Sequence, residues 1–115
     1  MEIVLFKIRP RVGRDDAEYE RTFEQMYALV SAIPGFIGID GYQGEDGSEL
    51  AVARFESREA IAEWRDQPEH VRTQQRGRDE FFAGYEITIG TVWREYSWPE
   101  RSAHQFAAQP PAAAP

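Results

Sequence analysis

Apolar residues recur along this chain with two different spacings. Residues 2–9 (EIVLFKIR) form an apolar run closed by Pro10 and Gly13, which predicts a first strand. Asp15 stands three residues before Glu18, an aspartate version of the capping box that opens a helix. From there Tyr19, Phe23, Met26, Tyr27, Val30 and Ile33 follow helical spacing, while Glu20, Arg21, Glu24 and Gln25 fall on other faces. Pro34-Gly35 ends that helix. Residues 36–43 (FIGIDGYQ) and 49–56 (ELAVARFE) predict two strands around Asp46-Gly47, a hairpin turn signal. Ser57 caps a second predicted helix, SREAIAEWRDQ, with Ile61 and Trp64 facing inward. Pro68 suits the first turn of a further helical piece better than the middle of a straight helix, since its ring leaves no donor for the preceding turn. That piece is expected to continue through Val71 to about Phe82, with Gly77 weakening or bending it. Residues 85–96 (YEITIGTVWREY) predict the last strand.

The resulting order, βαββαβ, predicts an α+β, ferredoxin-like fold: a four-stranded antiparallel sheet with both helices on one face. Such a sheet should alternate apolar and polar residues along each strand. These strands do not. Ile3 and Leu5 oppose Val4, Phe6 and Ile8; Ile37 and Ile39 oppose Phe36 and Tyr42. Leu50 and Val52 oppose Phe55, and Ile87, Ile89 and Trp93 oppose Val92 and Tyr96. Helices bury only one face, and a bare apolar sheet exceeds what a monomer usually exposes. An identical chain related by a two-fold axis is the expected cover, giving a homodimer. The ordered domain is expected over residues 1–98. Residues 99–115, rich in Ala and Pro, predict a flexible tail in which Phe106 is the only bulky apolar side chain.

Composition narrows the function classes. The chain has 115 residues, enough for one domain. It carries 13 basic and 20 acidic side chains, a formal net charge of -7. That balance repels phosphate backbones and anionic headgroups, so no nucleic-acid partner and no membrane partner is expected. Cysteine is absent, which removes disulfides, thiolate metal sites and a cysteine nucleophile. The start, Met1-Glu2-Ile3-Val4-Leu5-Phe6-Lys7, lacks the basic opening of a secretion signal, and no segment reaches the ~20 apolar residues of a membrane span. A cytoplasmic location is expected.

No phosphate loop, paired-histidine metal motif or nucleophile elbow is present. The two histidines are His70 and His104, so three histidines cannot meet on one metal within a chain. The informative segment runs from Trp64 through Pro68-Glu69-His70 to Gln74, Gly77, Arg78, Phe81, Phe82 and Tyr85. Together with Pro34-Gly35-Phe36, Phe55-Glu56-Ser57, Glu59-Ala60 and Arg94-Glu95-Tyr96, it resembles the antibiotic biosynthesis monooxygenase domain over about residues 1–98.

The resemblance implies a dimeric α+β barrel and two styles of chemistry. Some members oxidise hydroxylated aromatic rings with dioxygen and no cofactor, in a pocket between sheet and helices. Others bind and degrade haem through a histidine in the second helical region, with an asparagine on strand one and a tryptophan on helix two. Trp64 resembles that tryptophan, but Thr73 and Gln74 occupy the expected histidine positions, and strand one has no asparagine.

The cofactor-free style needs a base near neutral pH, a group to hold the substrate anion, and exclusion of water. His70 is the candidate base, because imidazole titrates in the right range. Arg78 or Arg54 would hold the anion, and Trp64, Phe81, Tyr27 and Tyr85 would form apolar walls. The expected partners are a small aromatic or polyketide-type quinol or phenol, dioxygen and a second copy of the chain. Haem is the alternative cofactor, and a non-catalytic ligand-binding dimer is the third reading. Each residue also has a plainer role: Trp64 as core, His70 as an exposed or capping residue, Phe81 and Phe82 as core or dimer contacts, Arg78 as half of a surface ion pair.

Overall fold

The computed structural model describes residues 1–99. Apart from Pro99, the expected tail, with His104 and Phe106, lies outside the described residues. The elements run β1 (Glu2–Pro10), α1 (Asp16–Ser31), β2 (Phe36–Gln43), β3 (Glu49–Phe55), α2 (Arg58–Arg65), α3 (Pro68–Arg76), a π-turn (Gly77–Phe81) and β4 (Phe82–Thr91). The strands form one antiparallel sheet in the order β2-β3-β1-β4, the ferredoxin-like arrangement.

Local chemistry explains the boundaries. The Asp15 carboxylate accepts the Glu18 N–H at 3.1 Å and caps α1, but the Glu18 side chain does not complete the box. It reaches Arg21 at 2.7 Å and Arg76 at 3.1 Å instead, an ion-pair exchange that ties α1 to the end of α3. Ser57 accepts the Ala60 N–H at 3.1 Å and opens α2. Pro68 opens α3, whose cap is Gln67, accepting the His70 N–H at 2.7 Å. The second helical region is therefore two helices and a π-turn, with the regular α-helix giving way to the π-turn at Gly77. A Cβ there would stand 2.5 Å from the Phe82 ring, so only glycine lets the chain close up at this point.

The last strand differs from expectation. It starts at Phe82 and ends at Thr91, so Trp93 and Tyr96 lie beyond the sheet rather than on its faces. The π-turn brings the chain back to the sheet early, and pairing with β1 ends where β1 itself begins, at Glu2 opposite Thr91.

Register defines the two faces. Val4 pairs with Ala53 and Ile89, Phe6 with Ala51 and Ile87, and Ile8 with Glu49 and Tyr85, so these residues share one face. The helices cover that face. Val30 of α1, Phe55 of β3 and Ala60 of α2 form the buried cluster, with Val4, Ile33, Phe36, Ala53, Ile61 and Trp64 packed around it. Burying a ring such as Phe55 contributes about 1.5–3 kcal/mol. Ile3, Leu5, Leu50, Val52 and Arg54 lie on the back face. One facing was misread from alternation alone. The β2 register shifts between Phe36 and Gly38, so Phe36 joins Ile39 on the helix side while Tyr42 points to the back. The extra residue of a bulge reverses the facing of what precedes it.

Candidate functional site

Three aromatic rings, Phe6, Phe82 and Tyr85, and two β-branched residues, Ile87 and Ile89, gather where the helices stop covering the sheet. The helices sit over the β2–β3 half, and the β4 half of the same face stays open: Tyr85, Ile87 and Ile89 are 37%, 56% and 55% exposed. Phe6 on the neighbouring strand contacts Phe82 and Tyr85 edge-on at 5.6 and 5.4 Å. The result is an apolar stripe, floored by β1 and β4, on the helix side of the sheet.

Trp64 and His70 form the second part. Trp64 closes α2 and packs on the core cluster shared with Val4. The step at Gln67-Pro68 turns the chain so that the His70 imidazole lies flat on the Trp64 indole, with ring centres 3.8 Å apart and planes 11° from parallel. His70 Nδ1 is 2.8 Å from the Trp64 carbonyl oxygen. A carbonyl only accepts, so Nδ1 carries the proton and the lone pair of the neutral ring resides on Nε2. The Gln74 amide nitrogen lies 3.4 Å from Nδ1, on the next turn of α3. Burial of the ring holds the His70 pKa below the ordinary imidazole value, with the Trp64 carbonyl pulling the other way. Burial thus favours the neutral form of the imidazole.

Arg78 and Tyr85 form the third part. The π-turn carries Arg78 so that its Nε donates to the Tyr85 hydroxyl at 3.0 Å, and Nη1 donates to Gln75 at 3.4 Å. The turn is itself held by Arg11. Its backbone N–H donates to Phe81 O at 2.9 Å, and its Nη2 donates to the carbonyls of Arg78 and Phe82 at 2.7 and 3.2 Å.

The other sequence candidates lie elsewhere. Tyr27 packs edge-on against Phe36 at 6.4 Å, on the α1 side of the core. Phe81 is buried against Tyr19, with ring centres 5.2 Å apart, and lies beneath the Arg76 guanidinium. Arg54 is on the back face, 3.7 Å from Asp40. Sequence reasoning missed Phe6, Ile87 and Ile89 as the stripe, and Gln67, Gln74 and Arg11 as supports. Gln67 had a signal, its place just before a helix-opening proline; Arg11 had none, because its partners are 67 and 71 residues away.

The residues match the haem-degrading pattern only in part. Thr73 and Gln74 stand where the resemblance places the haem-binding histidine, and strand one carries no asparagine; the one imidazole of α3, His70, has Nδ1 held by the Trp64 carbonyl and Nε2 free. Among the described residues no group of three or more His, Asp or Glu side chains is placed to hold a metal ion, and no helix is long and apolar enough to cross a membrane.

The fold is shared with known proteins. A family model described as antibiotic biosynthesis monooxygenase matches residues 1–76. The uncharacterized protein YqjZ of Bacillus subtilis is 30% identical over 90 residues, spanning 78% of this chain and 79% of that protein. Among solved structures, Rv0793 of Mycobacterium tuberculosis superposes with a TM-score of 0.72 at 22% identity, covering 84% of this chain and 98% of that one. SnoaB of Streptomyces nogalater, a cofactor-independent oxygenase, gives 0.65 at 22% identity, covering 87% and 100%. With the family model spanning well over half of its length, and with this sheet order and these helices, the chain belongs to the antibiotic biosynthesis monooxygenase family.

Proposed function

We propose that this protein is a cofactor-independent monooxygenase, working as a homodimer on a small phenol or hydroquinone of polyketide type. The observation that carries the reading is the Trp64–His70 pair. It is a half-buried, neutral imidazole, fixed by a carbonyl at Nδ1, on the same side of the sheet as an uncovered apolar stripe. The description of SnoaB as a cofactor-independent oxygenase supports the reaction class.

In this reading the substrate ring lies on Phe6, Ile87 and Ile89. His70 Nε2 takes the phenolic proton, and Arg78 with the Tyr85 hydroxyl holds the resulting oxyanion by charge and a hydrogen bond. The phenolate is electron-rich enough to reduce dioxygen. One oxygen atom forms a new C–O bond and ends as a ring carbonyl, replacing two hydrogens of the phenol as a whole. The other leaves as water with those two hydrogens. The substrate supplies all four electrons, so the balance needs no external reductant. Trp64 is the aromatic wall that orients the base. Phe81 and Tyr27 support the core, and Arg54 lies outside the pocket.

Oxygen uptake with a panel of naphthohydroquinones tests the reading, using wild type, His70→Ala and His70→Gln. Turnover that falls at least about 100-fold in both variants supports a base at His70. A saturable Soret change on haemin titration, lost in His70→Ala, would instead make the imidazole an iron ligand and overturn the proposal.

A further inference from the structure

One contact beside the His70 ring sets two hydrogen-bond donors against each other. The Trp64 carbonyl oxygen lies 2.8 Å from Nδ1 and can only accept, so Nδ1 carries a proton. Gln74, one turn further along α3, brings its amide nitrogen to 3.4 Å from the same Nδ1. An amide nitrogen only donates, so neither atom can accept from the other. The two ends of an amide differ little in shape, and which end faces a neighbour follows from the hydrogen bonds on offer. Turned by half a rotation about its last bond, the same side chain presents Oε1 to the Nδ1 proton.

We infer that Gln74 is a positioning residue for His70: its side-chain carbonyl oxygen is the second acceptor for the Nδ1 proton and steadies the imidazolium that forms when Nε2 takes up a proton. Three contacts then hold the ring, namely the Trp64 indole stacked on it, the Trp64 carbonyl and Gln74. Gln67 fixes the backbone below by accepting the His70 N–H at 2.7 Å. The charged side chains on the elements packed about α3 are engaged elsewhere. Glu69 pairs with Arg72 within α3, Arg65 with Asp66 at the end of α2, and Arg76 with Glu18 of α1 and Glu80 of the π-turn. Arg78 donates to Tyr85 and Gln75, Asp79 accepts from Gln75, and Glu59 and Glu63 of α2 are exposed. Neutral acceptors therefore stand behind this imidazole, where a hydrolase triad places a carboxylate. A hydrogen bond is about twice as strong when its donor is charged, so each acceptor on Nδ1 favours the protonated ring and offsets part of the burial that holds it neutral. A base supported only by neutral groups stays weak, which suits an acidic phenol. This rests on the function proposed above in one respect, that the proton taken at Nε2 comes from the substrate.

Long-range proton–nitrogen NMR of the full-length chain tests this without a substrate, with His104→Gln removing the second histidine signal. The neutral His70 ring should show its hydrogen on Nδ1 and a bare Nε2; the reverse pattern overturns the inference. The titration midpoint of His70 should fall in Gln74→Met, which keeps length and helix propensity but removes the acceptor. It should rise in Gln74→Glu, which places a carboxylate at the same position. Loss of packing alone cannot move the two variants in opposite directions. An unmoved midpoint in Gln74→Met overturns the inference. A raised one does so too, because it would mean that the amide nitrogen donates to a bare Nδ1. Oxygen uptake then separates this assignment from the function proposed above. The acid limb of kcat/KM should follow the NMR midpoints in both variants. Midpoints that move as stated while the limb stays in place would uphold the Gln74 contact and overturn His70 as the base.

Discussion

At the scale of single residues, the proposed chemistry turns on one imidazole. Burial lowers the His70 pKa, so the folded state binds a proton less readily than the unfolded chain does. The sign follows. Above the ordinary value near 6.5 the group is neutral in both states; below it the unfolded state gains more protons, and stability falls as pH drops through the folded-state value. His70→Gln is therefore expected to flatten the acid side of the stability curve below about pH 6.5, measured by urea denaturation at several pH values. If the slope survives, another group sets it. For the reaction, the acid limb of kcat/KM in the wild type should lie below pH 6.5, since a base with a depressed pKa stays active to lower pH. The identity of this residue was legible in the sequence as the one histidine outside the predicted tail. Its setting was not. The flat stack on Trp64 and the carbonyl at Nδ1 arise because Pro68 breaks the helix between them, and the angle of that break is not encoded in spacing. Arg54 shows the same limit from the other side. Its residue type fitted anion binding, but strand register put it on the back face beside Asp40.

Among the elements, the π-turn is the unusual piece, and two residues make it possible. Gly77→Ala would press a Cβ into the Phe82 ring, which Phe6, Tyr19 and Tyr85 hold edge-on from other sides. The gain in helix propensity, about 1 kcal/mol, is smaller than the cost of overpacking. A net loss of about 1–2 kcal/mol is expected in equilibrium unfolding, and a neutral or stabilised variant would show that the turn relaxes freely. Arg11→Gln removes the clamp on the Arg78 and Phe82 carbonyls without touching the apolar stripe. If Arg78 holds the substrate anion, this change should raise KM several-fold while the acid limb set by His70 stays in place. A shifted limb would mean that the clamp acts on the base instead. Strands and helices were legible because caps and turns announce them: Asp15, Ser57, Asp46-Gly47 and Pro68 all act as their types predict. The π-turn and the early start of β4 were not, because the gap between Gly77 and a ring five residues on is a property of packing. The Arg14–Glu49 pair was also invisible. Both side chains are almost fully buried and joined through both carboxylate oxygens at 3.0 and 3.2 Å, linking the β1–α1 loop to the start of β3. Glu49→Gln would remove the buried one of the two carboxylates on the Arg14 guanidinium, leaving only the exposed Asp16. A loss of about 3 kcal/mol is expected in the same assay, and a loss under about 1 would show that Asp16 compensates.

For the molecule as a whole, charge and association oppose each other. Each chain carries a formal net charge of -7, so bringing two together works against Coulomb repulsion. The sheet face expected to meet a second copy is largely apolar, with Ile3, Leu5, Leu50 and Val52 on it. Salt therefore acts on the repulsion and not on the contact. Raising ionic strength shortens the Debye length to about 10 Å at 0.1 M and about 8 Å at 0.15 M, which screens the two acidic bodies from each other. Sedimentation equilibrium at about 0.02, 0.1 and 0.3 M sodium chloride should show the dimer Kd falling as salt rises, by several-fold across the series. An interface built on ion pairs gives the opposite slope, because the same ions weaken its attractions. A rising Kd would thus locate the contact on charged surface, such as the Lys7, Arg9 and Glu86 region, instead of on apolar side chains. The sign of one slope distinguishes an apolar interface from an ionic one, because repulsion between the bodies and attraction across an ion-paired contact respond to salt in opposite directions.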